Sequence, residues 1–142
     1  CLSDVFCDIQ AIIEGNASDK EISWDFSGDV AFVHPYVIAS PLHLRQIFLN
    51  IYGNSIKFTN PGGKISTKQE CIEEKDNVIT YRWTISDTGI GMSEEFLQHI
   101  FEPFSQEQAD ARSVYHGTGL GMSIVKKLVE KMGGMISVTS EI

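Results

Sequence analysis

Residues 44–59, Leu-Arg-Gln-Ile-Phe-Leu-Asn-Ile-Tyr-Gly-Asn-Ser-Ile-Lys-Phe-Thr, constrain this chain more than any other stretch. Wound as a helix at roughly 100° per residue, they gather Leu44, Ile47, Phe48, Ile51, Ser55 and Phe58 into one arc of about a third of the circumference. That arc predicts a helix buried along one side. Beside it, Asn50, Asn54 and Lys57 recur at i, i+4, i+7 and form a polar stripe. Asparagine competes for backbone hydrogen bonds and is a mediocre helix former, so two of them in one helix interior carry a cost. A single Asn would read as a solvated helix edge. Two, one turn apart and followed by a Lys, suit a site for a hydrated divalent cation and phosphate oxygens. Amide oxygens are hard ligands for Mg²⁺, and an ammonium neutralises phosphate charge.

Three further motifs follow in order. Asp87-Thr88-Gly89-Ile90-Gly91-Met92 places a carboxylate and two glycines at the end of an alternating strand pattern. Alone it reads equally well as a common turn. Phe101-Glu102-Pro103-Phe104 comes next, then Gly117-Thr118-Gly119-Leu120-Gly121 at the start of a helical pattern. Glycines there bring free helix N–H groups close to an anion, although such a run is also compatible with plain loop flexibility. A dinucleotide fingerprint is disfavoured, because polar loop rather than strand precedes it.

Together these resemble the N box, first glycine box, phenylalanine box and second glycine box of the histidine-kinase catalytic domain. That domain belongs to an ATPase superfamily that also includes gyrase, chaperone and mismatch-repair ATPases, and the chain looks most like hybrid sensor histidine kinases. The resemblance implies ATP and Mg²⁺ as cofactors. It implies Asn54 as the metal ligand, and Asn50 and Lys57 as the residues acting on the metal shell and phosphates. Asp87 would accept a hydrogen bond from the adenine amino group, with Gly89, Gly91, Met92 and Phe58 around the base. Gly117, Thr118, Gly119, Leu120 and Gly121 would hold the triphosphate. Residues 105–117 correspond to the ATP lid, with Phe101 and Phe104 anchoring its base by packing. Within it Arg112 reads as a solvated loop residue, and His116 stands where many relatives have Gly.

Gyrase-type relatives carry a glutamate four residues before the metal-binding Asn, and it activates water. Here that position is Asn50, which cannot take a proton at neutral pH. The resemblance therefore implies phosphoryl transfer to a histidine rather than hydrolysis. His34, His43, His99 and His116 lack the context of a phosphoacceptor. The expected partners are a dimerisation and phosphoacceptor helical hairpin of the same parent protein, and a response-regulator receiver domain downstream. Two alternatives share the boxes: a protein serine kinase of the anti-sigma type, and a non-catalytic nucleotide-binding regulatory module.

The 142 residues amount to one domain, 1–142, able to bury a core. The chain opens on Cys1 rather than Met, so it reads as an excised piece of something longer. The resemblance implies that the last strand of the fold is missing as well, because family members continue past Ser140-Glu141 with a Gly-rich turn and another strand. A net charge of −8 argues against nucleic acid as a partner. No run is apolar enough for a membrane span, and no direct membrane contact is expected. Cys1, Cys7 and Cys71 lack metal spacing and read as reduced thiols in a cytoplasmic domain.

The remaining pattern predicts a helix over 2–15, ended by Gly15-Asn16, and a strand over 22–26 before the turn Ser27-Gly28-Asp29. It predicts a short strand near 36–38, a helix capped by Ser40 with Pro41 at its first position, and a turn at Asn60-Pro61-Gly62-Gly63. Strands follow over 64–72 and 78–87, joined by a loop at 73–77. In the second, Ile79, Tyr81, Trp83 and Ile85 share one face. A short helix from Ser93 to about residue 100, and a last one over 118–132 with Leu120, Ile124, Val125, Leu128 and Met132 inward, complete the list. Gly133-Gly134 stops that helix, and residues 135–140 begin a strand. The expected architecture is an α/β (α+β) two-layer sandwich, a mixed and mostly antiparallel sheet with about three helices on one face.

Overall fold

The computed structural model describes residues 1–27, 32–107 and 117–142. Its elements are α1 (Leu2–Asp19), β1 (Ser23–Ser27), α2 (Pro41–Phe58), β2 (Lys64–Lys75), β3 (Val78–Asp87), α3 (Glu94–Leu97) and α4 (Gly121–Lys131). The described strands form one mixed sheet in the order β1-β2-β3. β1 and β2 are parallel, with Trp24 opposite Ile65, and α2 is the crossover between them. β2 and β3 pair antiparallel over a longer ladder, with Thr67 opposite Ile85 and Gln69 opposite Trp83. The architecture is the α/β layering expected.

Helix α1 runs through Gly15-Asn16 because its buried positions Val5, Ile9, Ile13 and Ala17 continue at intervals of four. Packing of that stripe outweighs the roughly 1 kcal/mol cost of one helical Gly. The hairpin is tighter than the expected loop. Asp76 and Asn77, at φ 52° and 60°, make a two-residue turn that carries the ladder out to Lys75. A register shift between Cys71 and Glu73 absorbs the one irregular position.

The core lies between the sheet and helices α1 and α2. Ile9, Ile13 and Ile65 are fully buried there, and Phe6 stacks on Trp83 at 5.2 Å. Leu44, Ile47, Phe48 and Ser55 of α2 are buried as expected, but Tyr52 rather than Ile51 completes the face, and Phe58 is half-buried. Tyr52 stacks on Trp24 at 4.9 Å, and its hydroxyl meets Thr67 Oγ1 at 2.7 Å. A polar partner inside the sheet makes the tyrosine tolerable there. Helix α4 packs against α2. Thr80, Arg82, Thr84 and Ser86 face solvent on the far side of the sheet.

Among the described residues, two expected strands do not form. Residues 36–38 run irregularly between Pro35 and Pro41, with Tyr36 81% and Ile38 108% exposed. Neither proline can donate to a ladder. Residues 135–140 alternate between exposed and half-buried but join no ladder among the described residues. Helix α3 is a single turn capped by Ser93, whose Oγ accepts from the Phe96 N–H at 3.2 Å, and the chain continues to residue 104 in turns. Helix α4 begins at Gly121 rather than residue 118, since Gly119 sits at φ 69°, outside helical space. Met132, expected inward, is 46% exposed because the helix has already ended. Its C-terminus closes with Gly133 N–H donating to Glu130 O and Gly134 N–H to Val129 O. Gly28, Asp29 and the lid positions 108–116, Arg112 and His116 among them, lie outside the described residues.

Candidate nucleotide site

Ser40 accepts the His43 N–H at 3.3 Å with Pro41 in the first turn, so α2 starts where the sequence predicts and its polar stripe is set in phase. Asn50, Asn54 and Lys57 are all half-buried on it. The Asn50 amide donates from Nδ2 to Gln46 O at 2.8 Å, which turns Oδ1 the other way. That oxygen faces α4: a Cβ placed on Gly121 would lie 3.1 Å from it. At the other end of the stripe, Lys57 Nζ lies 5.0 Å above the Phe58 ring, and a Cβ on Gly117 would come within 2.8 Å of it. The fold therefore brings the stripe and the second glycine run together at two points.

Helix α4 carries neither a side-chain cap nor an acidic residue in its first turn. Among the described residues its first N–H groups take no side-chain cap, and with the helix dipole they suit an anion. Among the described residues, Lys57 has no carboxylate partner, and no group of three or more His, Cys, Asp or Glu converges to hold a metal. The donor set is thus amide oxygens, one ammonium and backbone N–H groups. That chemistry fits a polyphosphate whose own oxygens complete the shell of a hard cation.

The first glycine run closes the other side. Asp87, at the end of β3 and exposed, accepts the Gly89 N–H on Oδ1 at 3.0 Å. Thr88 bridges to Lys64 with both its N–H and its hydroxyl, at 3.0 and 2.9 Å. Ile90 N–H donates to Phe58 O at 3.1 Å, joining this run to the end of α2. The structure gives both glycines a reason in the protein's own backbone, besides any approach to a base. A Cβ on Gly89 would lie 2.9 Å from Phe58 O, and one on Gly91, at φ 73°, only 1.9 Å from Glu141 O. Met92 N–H donates to Ser140 Oγ at 2.9 Å, so the C-terminal residues strap this run.

Phe104 differs from expectation. Phe101 is half-buried with Lys126 Nζ 5.4 Å above its ring, whereas Phe104 is 75% exposed. Phe104 anchors through its backbone instead, its N–H donating to Gly119 O at 2.9 Å with its own φ at 63°. Gln106 Nε2 donates to Gly117 O, and Glu107 Oε1 accepts the Ser93 N–H at 3.0 Å. Gln106, Glu107 and Ser140 carry no local sequence signal for these roles.

Fold and site together define a nucleotide-binding ATPase domain. Residues 39–142 match the family model of histidine kinase-, DNA gyrase B- and HSP90-like ATPases, and the chain belongs to that family. Within it, the similar proteins are histidine kinases. The chain is 40% identical over 104 residues to the sensor histidine kinase GacS of Pseudomonas protegens, covering 73% of this chain and 11% of that protein. It is 33% identical over 156 residues to histidine kinase 5 of Arabidopsis thaliana, covering 94% of this chain and 17% of that one. Among solved structures, the catalytic domain of histidine kinase ThkA superposes with a TM-score of 0.72 at 26% identity, covering 92% of this chain and 79% of ThkA's. Full-length ShkA in complex with AMPPNP gives 0.72 at 26% identity, covering 99% of this chain and 28% of ShkA's. The chain thus spans under a fifth of the curated relatives it matches. Among the described residues, no helix is long and apolar enough to cross a membrane.

Proposed function

We propose that this chain is the MgATP-binding catalytic domain of a two-component sensor kinase, passing the γ-phosphoryl to a histidine on a separate helical hairpin of its parent protein. The observation that carries the reading is the meeting of Asn50 with Gly121 and of Lys57 with Gly117, at the uncapped start of α4. Asn54 supplies an oxygen to Mg²⁺ and Asn50 orients the water around it, while Lys57 neutralises phosphate charge. When bound, the cation neutralises and orients the phosphates. Asp87, with Oδ1 held by Gly89, presents its other oxygen to the adenine amino group; Phe58 and Met92 flank the base. The run Gly117, Thr118, Gly119, Leu120 and Gly121 receives the phosphates through backbone N–H groups at the start of α4, although the Leu120 N–H also donates to Thr118 Oγ1 at 3.4 Å. Catalysis on this reading is positioning and charge neutralisation. The stripe holds no carboxylate to activate water, since Asn50 stands there. A receiver domain is the onward acceptor, by analogy with ThkA, solved in complex with its response regulator TrrA. The domain works in the cytoplasm, where ATP is supplied.

Labelled ATP tests this. The domain alone should bind MgATP but neither label itself nor release phosphate appreciably, because the missing base forfeits roughly 10²–10⁴ in rate. Mixed with a phosphoacceptor hairpin, it should yield an acid-labile, base-stable adduct on histidine. Brisk phosphate release by the domain alone would make it a hydrolase, and an acid-stable adduct would make it a serine kinase.

A further inference from the structure

The last four carbonyls of a helix have no partner within it. In α2 all four find one, and the partners differ. Ser55 O accepts from the Thr59 N–H at 3.1 Å, and Phe58 O from the Ile90 N–H at 3.1 Å. Ile56 O and Lys57 O both accept from a single ammonium, Lys20 Nζ, at 2.7 Å each. Lys20 is half-buried and is the C-cap residue of α1. Its corner is firmly held: Lys20 N–H donates to Ala17 O, Glu21 N–H to Ser18 O, and Gly62 N–H to Glu21 O at 2.9 Å.

We infer that Lys20 is a positioning residue for the nucleotide site, clamping the final turn of α2 from behind. The inference rests on the nucleotide reading given above. Two things depend on that turn. One is the backbone from which Lys57 extends toward Gly117. The other is Phe58 O, which holds Ile90 and with it the glycine run after Asp87. The phosphate side and the base side of the site are therefore set by one carbonyl cluster, and Lys20 closes half of it. Charge adds to geometry. An ammonium at a helix C-terminus offsets the negative end of the dipole, which here lies next to where phosphates would sit. Lys20 acts on the site through these carbonyls, by way of the backbone that carries the Lys57 side chain.

The test compares Lys20→Met, which keeps the aliphatic stem and loses the donors, with Lys20→Arg, which keeps charge and two or more donors. MgATP affinity is read by calorimetry, and hydrogen exchange of the Ile90 amide is read without nucleotide. Lys20→Met should bind MgATP about tenfold more weakly, one factor of ten for each ~1.4 kcal/mol of misplacement. Its Ile90 amide should exchange faster, and Lys20→Arg should restore both to within about twofold. If Lys20→Met does not fold, Lys20→Gln, with a neutral amide in place of the ammonium, is put through the same measurements. Unchanged affinity in a folded variant overturns the inference. So does a loss that Arg fails to rescue with Ile90 exchange unaltered, because the end of α2 has then not loosened. Failure of the wild-type domain to bind MgATP would instead bring down the nucleotide reading itself.

Discussion

Replacing Gly119 by alanine should damage the protein in a way that replacing Gly117 does not, although both belong to one glycine run. Gly119 sits at φ 69°, and a Cβ there would lie 2.7 Å from Phe104 C and 2.8 Å from Ser105 O. Both are backbone atoms, so the chain at 104–105 must move. An L-residue in this left-handed region costs about 1–2 kcal/mol. Moving Phe104 also strains or breaks its N–H bond to Gly119 O, worth about 1 kcal/mol. Reduced freedom of the unfolded chain returns about 0.4–1 kcal/mol. The net loss is about 2 kcal/mol. At Gly117 a Cβ meets, among the described residues, only Lys57 Nζ, the movable end of a side chain, so stability should change by less than about 0.5 kcal/mol. Urea unfolding followed by fluorescence of Trp24 and Trp83 measures the global effect, and MgATP titration captures the case in which the segment opens locally. Gly119→Ala should lose about 2 kcal/mol of stability, or up to about thirtyfold in affinity if opening is local. Gly117→Ala should keep its stability and lose affinity for ATP more than for adenosine. A Gly119→Ala protein matching wild type in both assays would refute the reasoning, as would equal destabilisation by the two.

Asn54→Ala should leave the fold intact and lower Mg²⁺-dependent ATP affinity at least about tenfold by removing an oxygen ligand; unchanged MgATP binding in the calorimeter would remove the metal assignment. Asp87→Asn should weaken ATP and ADP equally, because it acts on the base; a loss confined to ATP would count against that role. Burial pushes the Tyr52 hydroxyl up to about 12 from 10.0, partly offset by its bond to Thr67. The folded state thus holds this proton more tightly than the unfolded one. Its contribution to stability is fully present below pH 10 and is lost as pH rises from about 10 through 12. Alkaline unfolding curves of wild type and Tyr52→Phe check this, and the variant should lack that part of the pH dependence. Since the bond between Tyr52 and Thr67 is lost, Tyr52→Phe should also cost about 1 kcal/mol at neutral pH, read by urea unfolding.

What the sequence by itself determined is local and periodic. Ser40 and Pro41 mark the start of α2 because a cap and a donor-less first position act within one turn. The i, i+4, i+7 spacing puts Asn50, Asn54 and Lys57 on one edge whatever surrounds the helix. Alternation along 78–87 assigns Ile79, Tyr81, Trp83 and Ile85 to one face, and all four are half-buried. The order of the motifs was enough to indicate a nucleotide site and, through Asn50, its kind of chemistry. Only the tertiary structure decided what each of these groups meets. Helical periodicity defines an apolar side only to within a residue's rotation, so Tyr52 displaced Ile51 once Thr67 offered its hydroxyl from β2. Gly91 is required by the backbone of Glu141, fifty residues away, and Lys20 serves carbonyls of α2 from the end of α1. Strand pairing failed at 36–38 and 135–140 because alternation describes two faces and says nothing of whether a neighbouring edge is within hydrogen-bonding reach. Contacts between residues distant in sequence leave no periodic trace in either partner, and the candidate site consists of such contacts.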